Sequence, residues 1–178
     1  MTDVEKFFCN KVSPNKKIKG LFCSHLIRQK GIYELIYSAK IVLDRNPNIE
    51  FNIIGDGPEK DNLIRITKNF GIDKQVNFLG YVSEKEKIDL FHKSHMFIFP
   101  SYREGFPTVI VEAIASGLVI ITTPVGGLVD VIESGKSGTL LKNIPPNIRE
   151  ISRSILYYLD NTVLMPQISN YNMKELST

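Results

Sequence analysis

Two glutamates, Glu104 and Glu112, are the side chains best suited to bind a ligand rich in hydroxyl groups. Glu112 interrupts the apolar run 109–115, where an isolated charge needs a partner or a pocket. Thr108 lies four residues earlier and therefore shares a helix face with Glu112. Carboxylates accept hydrogen bonds from paired hydroxyls, so one glutamate could hold a ribose and the other a second sugar. The alternative interpretation is one solvated glutamate and one helix cap.

The loop that carries Glu104 leaves a predicted strand and enters the helix that carries Glu112. Proline suits the first position of a helix, so this helix is predicted to begin at Pro107 or Thr108. The backbone N–H groups of Gly105 and Phe106 would then lie at its positive end, beside the carboxyl end of a strand. Open α/β sheets bind ligands there, so we expect an anion such as a diphosphate at this position.

Two glycine-rich segments resemble nucleotide-binding motifs only in part. Residues 54–58 follow a predicted strand and open a helix, which favours a loop that faces a ligand. Lys60 stands where a dinucleotide fingerprint needs its third glycine, and the strand is the second one, so NAD is disfavoured. Gly135, Lys136 and Ser137 lack the upstream glycine of a phosphate loop and are interpreted as a surface turn.

The elements that must position these residues follow an α/β pattern. Short apolar runs alternate with longer stretches of helical period, which is typical of parallel strands joined by crossover helices. Strands are predicted at 18–24, 49–54, 75–79, 95–99, 118–122 and 138–141. A helix is predicted from Ile32 to Leu43, ending before Pro47, and a last clear helix covers 148–159. The fold class is therefore α/β, a Rossmann-like doubly wound sheet of about six parallel strands flanked by helices.

Composition excludes several function classes. The chain has 178 residues, which suits one domain, and its 22 basic and 19 acidic residues give a net charge of +3. This balance does not favour nucleic acid as a partner. Cys9 and Cys23 support neither a disulfide framework nor a zinc site, so a cytoplasmic location is expected. No apolar run is long enough to span a membrane, although peripheral association with its inner face stays open.

The two ends of the chain carry less pattern than its middle. Residues 1–17 are polar and rich in lysine, and 161–178 show no strong periodicity. We expect 1–17 to be a trimmed interdomain linker and 161–178 a truncated C-terminal connection. Residues 18–160 would form the ligand-binding domain.

Several motifs in register resemble the donor domain of glycosyltransferase family 4. They are Lys30-Gly31, the segments 55–58 and 76–80, the stretch 100–112 with its two glutamates, and Gly126-Gly127. The resemblance covers residues 19–160. It implies the C-terminal half of the GT-B architecture, in which two Rossmann-like domains enclose the active site. The N-terminal acceptor domain would then be absent from this chain.

The resemblance also implies a role for each motif residue. Glu112 would bind the donor ribose, and Glu104 would hold the transferred sugar together with the backbone of Gly105, Phe106 and Pro107. Thr108 would approach the diphosphate. The base would be bound near Gly55, Gly57, Gly80, Tyr81 and Val82.

The same family neutralises the donor diphosphate with an arginine and a lysine. Lys30 matches the lysine, whereas His25 stands at the arginine position. His25 could donate a hydrogen bond to a phosphate, or Arg28 could substitute from a shifted position. This departure leaves the second phosphate contact open.

The implied reaction is a retaining, hexosyltransferase-type transfer from a nucleotide diphosphate sugar, with UDP favoured over GDP, to a hydroxyl acceptor. Lys30, His25 and helix N–H groups would stabilise the leaving phosphate, and Glu104 would complete the catalytic set. No Asp-x-Asp loop is present, so neither a metal nor a further cofactor is expected. The resemblance suggests polysaccharide or lipopolysaccharide synthesis. The alternatives are a non-catalytic nucleotide-binding module, a subunit of a split enzyme, and a sugar-nucleotide epimerase-like domain.

Overall fold

The apolar runs of the sequence form a wholly parallel six-stranded sheet. The computed structural model describes residues 4–8, 17–105 and 107–175. The strands are β1 (Ile18–Cys23), β2 (Ile49–Ile54), β3 (Val76–Gly80), β4 (Met96–Phe99), β5 (Val119–Thr122) and β6 (Gly138–Leu140). Their order in the sheet is β3-β2-β1-β4-β5-β6. The six predicted strands are confirmed, and no end differs from its prediction by more than one residue.

Helices connect the strands in the described part of the chain. They are α1 (Ile32–Arg45), α2 (Lys60–Asn69), α3 (Glu84–Lys93), α4 (Thr108–Ala115), α5 (Leu128–Val131), α6 (Ile148–Asp160) and α7 (Leu164–Glu175). The predicted end of the first helix before Pro47 is confirmed. Ser83 and Glu86 form a capping box that fixes the start of α3. Among the described helices, none has the length and apolar character needed to cross a bilayer.

The core lies on both faces of the sheet because helices cover both. Leu21 and Phe22 of β1 and Phe97 and Ile98 of β4 are fully buried. Burying one such side chain stabilises the fold by about 1.5–3 kcal/mol. The central strands are therefore rigid supports for the loops at their carboxyl ends.

Helix α7 is a feature that the sequence did not predict. Met165 and Ile168 pack into the core. Asn172 Nδ2 donates hydrogen bonds to the carbonyls of Leu118, at 2.8 Å, and Ser137, at 3.2 Å. Polar residues on its buried side mask the apolar period. The interpretation of α6 as the last helix is therefore wrong.

The N-terminal segment also has local structure where it is described. Val4–Phe7 form a short 3-10 helix. Phe7 is buried, and its ring contacts Phe91 of α3 edge to face, with centroids 5.3 Å apart. This part of the predicted linker therefore packs against the domain, whereas residues 9–16 lie outside the described residues.

Candidate functional site

The strand order reverses between β1 and β4, which opens a crevice at the carboxyl ends of these strands. The surrounding loops are joined to one another through their backbones. The amide of Leu26 donates to the carbonyl of Asp56 at 2.9 Å, and the amide of Gly55 donates to Gly80 at 2.8 Å. The amide of Tyr102 donates to the carbonyl of Gln29 at 2.8 Å. The loops after β1, β2, β3 and β4 thus form one connected cradle.

The glycines of the loop after β2 are required by the loop after β1. Gly55 has φ +124°, and a Cβ there would lie 1.9 Å from the carbonyl oxygen of Ser24. A Cβ on Gly57 would lie 2.5 Å from the carbonyl oxygen of Leu26. Close packing of two loops therefore accounts for both glycines, and their predicted contact with a base stays a prediction.

Lys30 and Glu104 form an ion pair inside the crevice. Lys30 Nζ donates to Glu104 Oε1 at 2.6 Å, and Ser101 Oγ donates to the same oxygen at 2.6 Å. The two charged side chains are only 22% and 11% exposed. Gly31 turns the chain after Lys30 with φ +70°, where a Cβ would overlap the carbonyl of Pro100. Two of the three predicted catalytic residues are therefore held together before any ligand binds.

Glu112 lies deep in the domain, and its partner is a residue that the sequence did not single out. Only 3% of Glu112 is exposed. Its Oε2 atom lies 2.5 Å from Nζ of Lys87, which comes from α3. The contact is an ion pair, and Oε2 accepts no hydrogen bond from the described residues. An apolar helix that buries a carboxylate signals such a cation, but it does not say which lysine supplies it.

Cys23, at the end of β1, lies within the electric field of this ion pair. Burial is the main reason that the pKa of its thiol is raised to about 11, and the negative charge of Glu112 makes a smaller upward contribution to that value. The positive charge of Lys87 acts in the opposite direction. Glu112 and Lys87 are therefore close to the carboxyl end of β1, at the switch point of the sheet.

The two candidates for a second phosphate contact lie in different surroundings. His25 is exposed at the rim, close enough to Asp56 to influence it. The pKa of Asp56 is lowered mainly by a hydrogen bond from Lys60, with smaller contributions from the backbone of Gly57 and from His25. Arg28 instead lies over the ring of Tyr33, 4.5 Å from its centroid. Which of the two contacts a phosphate stays a prediction.

Arg28 is also held by a second contact. Its Nε atom lies 3.7 Å from Glu59 Oε1, and Glu59 accepts a hydrogen bond from the Tyr33 hydroxyl. These partners belong to α1 and to the approach to α2. Arg28 is therefore held by Tyr33 and Glu59 in the free chain.

The start of α4 follows directly on the loop that carries Glu104. Pro107 is the N-cap and Thr108 is the first helical residue, which confirms the second of the two predicted starting points. Gly105 and Thr108 are exposed and Pro107 is buried, whereas Phe106 lies outside the described residues. Gly126 supports this loop, since a Cβ there would lie 1.9 Å from the carbonyl oxygen of Gly105. The roles predicted for these residues stay predictions.

The predicted base-binding turn follows β3. Gly80 has φ +68°, a backbone conformation that favours glycine, and Lys60 Nζ lies close by. Tyr81 is 79% exposed, whereas Val82 packs against the core. Within the described ranges, no three His, Cys, Asp or Glu side chains are grouped so that they could hold a metal ion.

The chain is similar in sequence to known glycosyltransferases. The profile of the family Glycosyl transferases group 1 matches residues 3–175. The capsular polysaccharide biosynthesis glycosyltransferase CapM of Staphylococcus aureus is 30% identical over 121 residues, which are 68% of this chain and 32% of CapM. The chain spans about a third of the length of the curated relatives it matches.

Solved structures show the same fold. The C-terminal domain of the glycosyl transferase group 1 family protein LpcC from Francisella tularensis superimposes with a TM-score of 0.87 at 21% identity, covering 99% of this chain and 97% of that one. HepE of Anabaena, in complex with UDP and glucose, superimposes with a TM-score of 0.83 at 22% identity, covering 98% of this chain and 50% of that one. The Rossmann-like α/β prediction is confirmed.

Proposed function

Because the chain belongs to the Glycosyl transferases group 1 family, we propose that it is the donor-binding domain of a retaining family 4 glycosyltransferase with GT-B architecture. The observation that carries the proposal is the crevice between β1 and β4. In it, Lys30 pairs with Glu104 close to the first turn of α4, and Glu112 is buried one turn further along the same helix. This set of cations, N–H groups and carboxylates matches a ligand with a diphosphate and two sugars.

The proposed donor is a nucleotide diphosphate hexose, with UDP favoured over GDP. The UDP complex of HepE, a protein of the same fold, supports this choice. Glu112 would accept hydrogen bonds from the ribose, and Glu104 would accept them from the transferred sugar. Base contacts would come from the backbone near Gly55 and Gly80, which meet in the cradle.

Bond cleavage between the sugar and the diphosphate leaves negative charge on the departing phosphate. Lys30, His25 and the N–H groups at the start of α4 would stabilise this charge, so the reaction would need neither a metal nor another cofactor. Lys30 is bonded to Glu104 in the free chain. Donor binding would redirect the ammonium toward phosphate and free the carboxylate for a sugar hydroxyl.

Turnover would need a second domain that binds the acceptor and closes over the crevice. The length of the relatives supports this part of the proposal, since each aligned region is about a third of the whole protein. The name of CapM supports a role in polysaccharide synthesis. We propose that the full enzyme acts in the cytoplasm, at or near the inner face of the membrane.

Calorimetric titration of the chain with UDP, GDP, UDP-glucose and NAD, with and without magnesium, tests the proposal. We expect saturable binding of UDP or GDP that magnesium does not change. Glu112→Gln should weaken binding by about 1–3 kcal/mol, the scale for losing a charged hydrogen bond. Binding of NAD alone would reject the proposal.

A matched control is available at the amino ends of the strands, on the side of the sheet away from the crevice. Glu50 lies at the amino end of β2, 3.1 Å from Lys19, and is half-buried. Glu50→Gln removes the same charge from a paired glutamate far from the crevice, so nucleotide affinity should not change. Equal losses in both variants would indicate a general effect on folding and would contradict the ribose role.

A further inference from the structure

Lys87 lies between two aromatic rings and the buried carboxylate of Glu112. Its Nζ atom is 5.7 Å from the ring centroid of Phe7 and 5.7 Å from that of Phe91. The same atom is 2.5 Å from Glu112 Oε2, and the two side chains are 26% and 4% exposed. The ammonium is thus enclosed by aromatic faces that attract cations and by the one carboxylate that α4 buries.

The two oxygens of Glu112 have different environments. Oε2 is fully buried against Lys87. Among the described residues, none donates a hydrogen bond to Oε1. A buried carboxylate without a cation is costly, whereas one that is paired through a single oxygen keeps the other oxygen as an acceptor. The ion pair therefore fixes the orientation of the Glu112 carboxylate.

We infer that Lys87 is a positioning residue for the nucleotide ribose: it holds Glu112 by one oxygen and so presents the other to the ribose hydroxyls. The inference rests on the proposed function, in which Glu112 binds ribose. Lys87 itself does not touch the nucleotide in this scheme. The packing of Phe7 links the pair to the N-terminal segment, because Phe7 forms one wall around the ammonium.

Discrimination between ribose and deoxyribose separates positioning from a purely structural role. We would titrate wild type and Lys87→Met with UDP and GDP and with their 2′,3′-dideoxy counterparts. Wild type should prefer the ribonucleotide by about tenfold or more, the scale of one hydrogen bond to a charged group. Lys87→Met should lose most of this preference and keep its affinity for the dideoxy compound. A variant that is only less stable would bind both ligands less tightly and keep the preference.

Two further variants keep the test decisive. Lys87→Arg retains the cation and should restore most of the preference, including in the event that Lys87→Met folds poorly. Lys93→Met removes a lysine of the same helix whose pair with Asp89, at 4.0 Å, is exposed, so it should behave as wild type. Retention of the full ribose preference by well-folded Lys87→Met, or failure of well-folded Lys87→Arg to restore it, would overturn the inference.

The outcomes also distinguish this inference from the proposed function. If Glu112→Gln loses the ribose preference but Lys87→Met keeps it, only the role of Lys87 is wrong. If Glu112→Gln keeps the preference, the ribose role of Glu112 fails and the inference fails with it. If wild type binds none of the nucleotides, the donor-binding proposal is itself rejected for this chain.

Discussion

Replacing Lys30 with methionine should weaken the binding of a nucleoside diphosphate without weakening that of the nucleoside. The ammonium is the best-placed cation in the crevice, 22% exposed and adjacent to Glu104. Two unit charges about 4 Å apart interact by about 4 kcal/mol at the effective dielectric constant of about 20 that suits partly buried sites. This energy is an upper bound for what Lys30 contributes to binding one phosphate charge.

The net effect is smaller because Lys30 is already paired. In the free chain it donates to Glu104 at 2.6 Å, so diphosphate binding exchanges one anionic partner for another. A hydrogen bond to a charged group contributes about 1.5–3 kcal/mol. Since about 1.4 kcal/mol corresponds to tenfold in affinity, we expect a loss of roughly 10- to 150-fold for UDP.

Calorimetry with UDP and uridine, at low and at physiological salt, measures this effect. The loss for UDP should shrink as salt rises, because the site is partly exposed and its charges are screened. Lys40→Met is the control, since Lys40 forms an ion pair with Asp44 on the exposed side of α1. Unchanged UDP affinity in Lys30→Met, or an equal loss for uridine, would refute the reasoning.

Three further predictions concern the supports of the site. Gly126→Ala adds a Cβ that would meet the carbonyl of Gly105 at 1.9 Å, so calorimetry should show weaker UDP binding. Gly71→Ala, which has a similar φ but open space, should lower only the free energy of unfolding, by about 1 kcal/mol. In a Cys9→Ser background, alkylation of Cys23 by iodoacetamide should be slow at pH 8 and accelerate toward pH 11, because the thiol pKa is about 11. Glu112→Gln should speed this reaction by removing a negative charge that raises the pKa, and an unchanged rate would contradict the proximity. Ser83→Ala breaks the capping box of α3 and should cost about 1 kcal/mol in urea unfolding, with no loss expected if the cap is not formed in solution.

The strands could be predicted from the sequence because a parallel strand buried on both faces appears as a continuous apolar run. β4 and β5 show this best, since Met96–Phe99 and Val119–Thr122 are buried throughout, and each strand begins one residue later than predicted. α7 could not be predicted in the same way, because Ser169 and Asn172 on its buried side interrupt the period. Asn172 is stabilised there by carbonyls of distant residues, which no local pattern reveals.

The site was predictable as a set of loops but not as a set of contacts. Strand ends place Lys30, Glu104 and the start of α4 at one edge of the sheet, so their proximity follows from topology. The direct bond between Lys30 and Glu104 depends on two turns that meet in three dimensions. Lys87 was missed because α3 also carries Lys85 and Lys93, and only the packing of Phe7 and α4 distinguishes among them.

The backbone bonds among the crevice loops have a consequence for how this domain could change its specificity. Leu26, Gly55 and Tyr102 are anchored to neighbouring loops by main-chain atoms, which any amino acid except proline can supply. Exposed side chains on these loops, such as Tyr81 and His25, could therefore be exchanged while the loops keep their positions. Libraries built at exposed positions should alter which donor is accepted and leave the scaffold folded, whereas mutations at Gly31, Gly55 or Gly126 should break it.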